Sequence, residues 1–395
     1  MNRIIPIGLY GLGLGLFSAT DILVSSYMEP QDIVSWAEMR STIGIVGFLC
    51  LCGLDQVFVR SPQSSSRLLR RLVFQVPLLA VPVSALVHSL GYLDSYLQAF
   101  FLAIGSSGAI AIYQYYRSHH LRAMAQLTQQ GWRIASFFLI LLMIWQPNAL
   151  PLGNSVVALL LSGVGVSAVL IRHYKPSELV PQNPEPFHQM YRIGARFLAT
   201  STFLALAVYA EQLVIQSVGT VDQAAEYFTH ATYFLFPMGL LNGYLGFLLG
   251  PWVRENHDSF RNKLRHNWPL ALLLTLVIAV AMNFVGLGAW KIMNPSIGNP
   301  DTSLRLIFLA TSVMITAYQF PSAYNGVFAK PRHHDVLIFA QLFAIFSAAA
   351  VFLVMLNVLK LDPMLSVAIG SMTNWFLRSA SGYGIISFVT LKRIT

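Results

Sequence analysis

Long apolar runs almost free of charge govern what this chain can become. Pro269–Phe284, Asp335–Val358 and Val156–Ile171 are such stretches, and some extend to the roughly 20 residues that a helix needs to cross hydrocarbon. In that medium each backbone N–H and C=O must be satisfied within the segment, so the runs are expected to be helices. Charged residues make up only 10% of the sequence, against about 25% in soluble proteins. So few charges cannot clothe a water-facing surface, and the class implied is an all-α polytopic membrane protein. The N-terminal run continues past Ala19 and Thr20 with no clear cleavage pattern, and it is read as the first span rather than a signal peptide.

Hydropathy and the polar or Pro/Gly turns predict about twelve transmembrane helices. Their approximate bounds are 4–28, 33–56, 72–90, 94–116, 127–146, 152–172, 192–217, 224–250, 268–290, 303–328, 335–359 and 363–390. With the N-terminus on the cytoplasmic side, only Lys291, Arg305 and Lys360 fall in outside loops, and Arg40 and Arg378 fall inside spans. The other basic residues, among them Arg60, Arg67, Arg71, Arg133, Arg192 and Arg196, fall on the inside. Cytoplasmic loops carry such an excess of Lys and Arg, and a wrong span count would scramble the alternation. Both termini are therefore expected in the cytoplasm. The same bias accounts for the net charge of +9 without nucleic acid. Cys50 and Cys52 share one apolar run, where packing is the default for cysteine. The outside loops are short, about a dozen residues at most by the same estimate of span length. That argues against envelope polymerases and glycosyltransferases, which need an outer domain. No nucleophile–base set, metal cluster or phosphate-cradling loop is visible, so no catalytic residue, metal or cofactor is expected and transport is the reading.

A Pro-rich polar linker, 173–190, divides the chain into an N-terminal lobe, 1–172, and a C-terminal lobe, 191–395, each with half of the spans. Equal halves joined this way suit a transporter built from parallel repeats. Weak echoes agree. Phe58-Val59-Arg60 and Trp252-Val253-Arg254 close corresponding spans, and His119-His120 and His333-His334 fall in corresponding loops. The acidic and aromatic residues of Tyr27–Trp36 recur in Val218–Tyr227.

Two stretches carry a family resemblance. Gly53-Leu54-Asp55-Gln56-Val57-Phe58-Val59-Arg60 resembles the Gly-Leu-Asp…Arg exit of polysaccharide-export flippases. Tyr209-Ala210-Glu211-Gln212-Leu213, followed by Val218-Gly219, Tyr227 and Phe236-Pro237, resembles their seventh and eighth spans. The chain is similar to Wzx-type O-antigen flippases of the multidrug/oligosaccharidyl-lipid/polysaccharide exporter superfamily. It departs from them in reading Glu211-Gln212 where an Asp-Arg pair is usual. The resemblance implies two six-helix lobes around a central cavity, alternating access, and a monomer in the bacterial cytoplasmic (inner) membrane. The implied substrate is an undecaprenyl-diphosphate-linked glycan, with a polysaccharide polymerase as a possible partner.

A charge within a span costs about 2.5–3.5 kcal/mol on insertion scales, so each needs a reason. Arg192, Arg196, Thr200, Ala207 and Glu211 fall within about 100° of arc on the seventh span. The two arginines could capture diphosphate there or snorkel to inner headgroups. Arg378 lies mid-span, with Asn374 one turn before it and Ser381 about one turn after. Arg378, Arg196, Arg40, Asn374 and Arg192 are thus the candidate substrate-binding residues. Glu211, Asp21, Glu38, Pro237 and Pro321 are candidates for coupling or gating. An Asp21–Arg40 ion pair closing the outer side is one expectation, and proton coupling through Asp21 or Glu211 is another. Glu38 and Arg40 lie about 200° apart on a helix and cannot both face a cavity squarely. Each proline removes a backbone hydrogen bond and permits a kink. A cation-coupled drug exporter of the same superfamily is the alternative within transport, and a membrane-embedded envelope-assembly enzyme the alternative outside it.

Overall fold

The computed structural model describes residues 4–93, 95–146, 151–173, 186–255, 257–294, 298–328 and 331–391. Most of the linker, 174–185, lies outside the described residues, as do Arg3, Lys330, Lys392 and Arg393. The described residues are helical, with no strand among them. In chain order the helices are α1 (Ile4–Tyr27), α2 (Pro30–Leu49), α3 (Leu54–Arg60), α4 (Ser65–Ser89), α5 (Tyr96–Ser118), α6 (Arg122–Trp145) and α7 (Leu152–His173). They continue as α8 (Phe187–Val218), α9 (Val221–Phe234), α10 (Phe236–Glu255), α11 (His257–Met293), α12 (Thr302–Phe328), α13 (Pro331–Leu353) and α14 (Pro363–Leu391).

Nine of the described helices are long and apolar enough to cross a membrane. Every stretch of α2 long enough to span carries Asp32, Glu38 and Arg40, and α14 is made more polar by Asn374, Arg378 and its serines. Large apolar side chains such as Phe74, Leu78, Phe339 and Phe343 are exposed, while Ser84, Gln114, Gln130 and Thr311 are buried. An apolar exterior over a polar-seamed interior is what a lipid solvent selects. The chain is a multi-pass membrane protein.

Local chemistry sets the ends and breaks of the helices. Pro30 opens α2, where its missing N–H costs nothing. Thr220 and Gln223 form a reciprocal capping box at the start of α9, with hydrogen bonds of 3.2 and 3.0 Å. The Asp301 carboxylate accepts from the backbone N–H groups of Ser303 and Leu304 and caps α12. Two expected spans are broken helices. The second runs as α2, a turn and α3, with Gly53 at φ 70° in the left-handed region. A Cβ at Gly53 would also run into the Gly194 carbonyl of α8, so both φ and space require glycine. The eighth is split into α9 and α10 at Leu235, two residues before Pro237, which cannot donate to the preceding turn.

The chain divides into two compact units, Met1–Leu213 and Val214–Thr395. The division falls within α8, which begins at Phe187 inside the expected linker 173–190. In the first unit α5 is the hub, packing on α2, α4, α6 and α7, while α1 packs on α6. In the second, α12 packs on α9, α10, α11 and α14, and α14 also on α13. Each hub corresponds to the fourth of the six spans expected in its half of the chain.

Candidate functional site

In the first unit a charged cluster forms where α1, α2 and α6 meet. Asp21 is 1% exposed. The Trp36 indole N–H donates to its Oδ1 at 2.8 Å, and Arg40 approaches its Oδ2 at 3.4 Å. The anticipated Asp21–Arg40 ion pair is therefore formed. Arg133 of α6 donates to Gln130 Oε1 at 3.1 Å. The two guanidinium groups lie 5.5 and 5.3 Å from the centroid of the Phe17 ring, within cation–π range. Trp132 meets Phe17 edge-on at 5.2 Å.

Beside this cluster is a cavity of about 130 Å³, lined by Phe17, Arg40, Gln129, Trp132, Arg133 and Tyr209 among others. A Cβ at Gly44 would collide with the Tyr209 ring, so glycine on α2 is what lets that ring pack close.

Arg133 is the residue that sequence reasoning misplaced. The basic-loop pattern counted it as a cytoplasmic anchor, whereas it lies well inside α6 beside Arg40 and Asp21. Its signal was its position within the predicted span 127–146, one turn after Gln130 and next to Trp132.

Glu38 goes elsewhere, as its offset from Arg40 requires. Its carboxylate accepts from the backbone N–H of Leu93, whose φ is 62°, so it holds the α4–α5 turn. Glu211 is buried on α8. Pro237 lies in the first turn of α10 and Pro321 inside α12, where Pro321 packs against Gly382 of α14.

The second unit encloses Arg378 completely, at 0% exposure. Its Nε donates to Asn374 Oδ1 at 3.1 Å, and its guanidinium lies 5.9 Å from the Trp375 ring. The Tyr318 hydroxyl stands beside it and accepts a hydrogen bond from Gln341 at 3.3 Å. Arg378 and Asn374 thus form a packed hub between α12 and α14.

A third arrangement lies at the end of the first unit that the basic-loop pattern assigns to the cytoplasm. Arg67 lies 4.0 Å from the Phe187 ring centroid and Arg60 4.4 Å from that of Phe197, both rings on α8. Arg71 approaches Phe187 and donates to the Tyr191 hydroxyl, which itself donates to Gln75. Arg192 is exposed and Arg196 half-buried on the same helix. Arg60, Arg67 and Arg71 thus lie against rings at the start of α8, the helix that also carries Arg192 and Arg196, and the five make up a collar of arginines there. In the nearby loop, His119 pairs with Ser65 at 2.8 Å, and burial together with the neighbouring His120 lowers its pKa. Among the described residues no cluster of His, Cys, Asp or Glu could hold a metal ion.

The fold is that of the MATE transporters. An inward-facing multidrug resistance MATE family transporter of the MOP superfamily aligns over 99% of both chains, with a TM-score of 0.63 at 13% identity. An outward-facing multidrug resistance transporter of that family aligns over 98% of this chain and 95% of its own, with a TM-score of 0.53 at 14% identity. The eukaryotic MATE transporter AtDTX14 aligns over 98% of this chain and 94% of its own, with a TM-score of 0.56 at 11% identity. At such identities the likeness establishes the fold. No protein-family model and no curated protein matches the sequence.

Proposed function

We propose that the protein is an alternating-access transporter that flips an undecaprenyl-diphosphate-linked oligosaccharide from the cytoplasmic to the outer leaflet of a bacterial inner membrane. The collar of Arg60, Arg67, Arg71, Arg192 and Arg196 carries this reading. A diphosphate needs charge-assisted donors at the level of the headgroups, and arginine held against an aromatic face presents its planar fork ready for phosphate oxygens. The carrier tail stays in lipid beside the exposed apolar faces. Alternating access is supported by fold relatives solved in both inward-facing and outward-facing forms. Arg378 and Asn374, enclosed here, would meet substrate only after α14 parts from α12.

Binding of undecaprenyl diphosphate to the purified protein, with undecaprenol as control, tests the reading. The diphosphate should bind, the alcohol should not, and Arg192→Gln/Arg196→Gln should weaken binding by about 10-fold or more, as expected for two charge-assisted contacts. Equal binding of alcohol and diphosphate would sink the proposal. The second reading, a multidrug exporter, is favoured by the multidrug resistance transporters among the fold relatives. It requires transport of cationic dyes, against which an arginine collar is a poor receptor.

A further inference from the structure

We propose that the cavity beside α1, α2 and α6 holds one monovalent inorganic anion of the halide class as the counter-charge of Arg133. This does not rest on the flippase reading, because the cavity and the collar have separate residues. Among the described residues the charges on its wall do not balance. Asp21 supplies one negative charge, already engaged by Arg40 and Trp36, while Arg40 and Arg133 supply two positive ones. The other titratable groups near Arg133 are the side chains of Tyr10 and Tyr209, neither of them a carboxylate. The Arg133 side chain donates to the neutral amide of Gln130, and its Nε is buried with no acceptor among the described residues. A half-buried cation in a membrane span, with no carboxylate of its own among the described residues, is costly. An anion in the adjoining space supplies what the residues lack.

Charge, room and lining select the class of anion. The net charge of the three ionised groups is one positive unit, which a monovalent anion cancels and a phosphate dianion exceeds. The cavity measures about 130 Å³, against a water molecule's share of about 30 Å³ in the liquid. A halide with its water fits in that space. The lining offers a few donors, from the two guanidinium groups, Gln129 and Tyr209, between the rings of Phe17 and Trp132. That suits a weakly hydrated ion better than four phosphate oxygens, each needing donors.

The test compares thermal unfolding of the full chain in sodium gluconate, chloride and bromide at equal ionic strength and pH 7. Wild type should gain about 2–4 °C, saturably, in chloride or bromide over gluconate. Arg133→Gln should lose that response and melt no lower than wild type in gluconate, because the uncompensated charge is gone. Lys291→Gln, an exposed change elsewhere, should respond as wild type does. Identical melting in the three salts overturns the proposal, as does a halide response retained in Arg133→Gln. Stabilisation by inorganic phosphate without any by chloride also overturns it, and makes the cavity a phosphate subsite. Should Arg133→Gln fail to fold, anomalous scattering from bromide-soaked crystals decides. A peak between Arg40 and Arg133 supports the site, and an empty cavity at saturating bromide refutes it.

Discussion

Arg40 in the first unit and Arg378 in the second both sit inside helices of a membrane-spanning chain, in different company. The Arg40 side chain is 16% exposed, is ion-paired to Asp21 and lines a cavity with Arg133. Arg378 is 0% exposed and is packed among Asn374, Trp375 and Tyr318. One arrangement leaves room for a ligand beside its charges, and the other fills the room with side chains. Depth in a span therefore does not by itself mark a binding residue. An arginine can be kept in the membrane to organise a helix interface, with neutral hydrogen-bonding groups around it.

The contrast can be broken first at Arg378. Arg378→Ala would leave a void and strand the Asn374 carbonyl oxygen, and should cost about 3–5 kcal/mol in thermal or denaturant unfolding. Arg378→Met, which keeps volume without charge, should cost much less. If Ala and Met behave alike and both are mild, Arg378 is not a packing hub.

Asp21→Asn comes next. It removes the carboxylate paired with Arg40 and should destabilise by about 3 kcal/mol, since breaking a buried pair leaves a charge exposed to low dielectric. Combining it with Arg40→Gln should recover part of the loss, and a double-mutant cycle measures the coupling. Additive losses would mean that the 3.4 Å pair has no energetic content.

Gly44→Ala should cost about 1–3 kcal/mol by pressing a methyl group against the Tyr209 ring. It should also change the halide response, because Tyr209 is part of the cavity wall. Trp36→Phe should be the mildest, at about 1 kcal/mol for one hydrogen bond lost to Asp21. A larger effect there than at Asp21 would invert the assignment of roles within the cluster.

Much of the fold was legible because lipid imposes strict rules on sequence. The apolar runs gave most spans directly and Pro237 was legible as a kink site, whereas the break before Gly53 falls inside the expected second span and shows only in the backbone of the fold. The site was legible only where partners are near in sequence or differ in charge. Asn374 lies four residues before Arg378, and Asp21 and Arg40 are of opposite sign on adjacent spans. Tyr318 beside Arg378, and the Leu93 N–H that engages Glu38, were hidden because long-range packing brings them close. Arg133 was hidden for another reason. A basic residue near the cytoplasmic end of a span satisfies the positive-inside pattern equally well as an anchor or as part of a cavity. Its contacts with Gln130 and Phe17 distinguish the two.

Transbilayer movement in proteoliposomes tests the central claim most directly. A fluorescent undecaprenyl-diphosphate oligosaccharide would be placed in one leaflet and its appearance in the other followed by quenching. Wild type should move it well above the rate of protein-free vesicles, and Arg192→Gln/Arg196→Gln should slow it by about 10-fold or more, in line with two lost charge-assisted contacts. A rate no faster than protein-free vesicles, from a preparation that transports a cationic dye, would contradict the flippase reading and establish the drug exporter in its place.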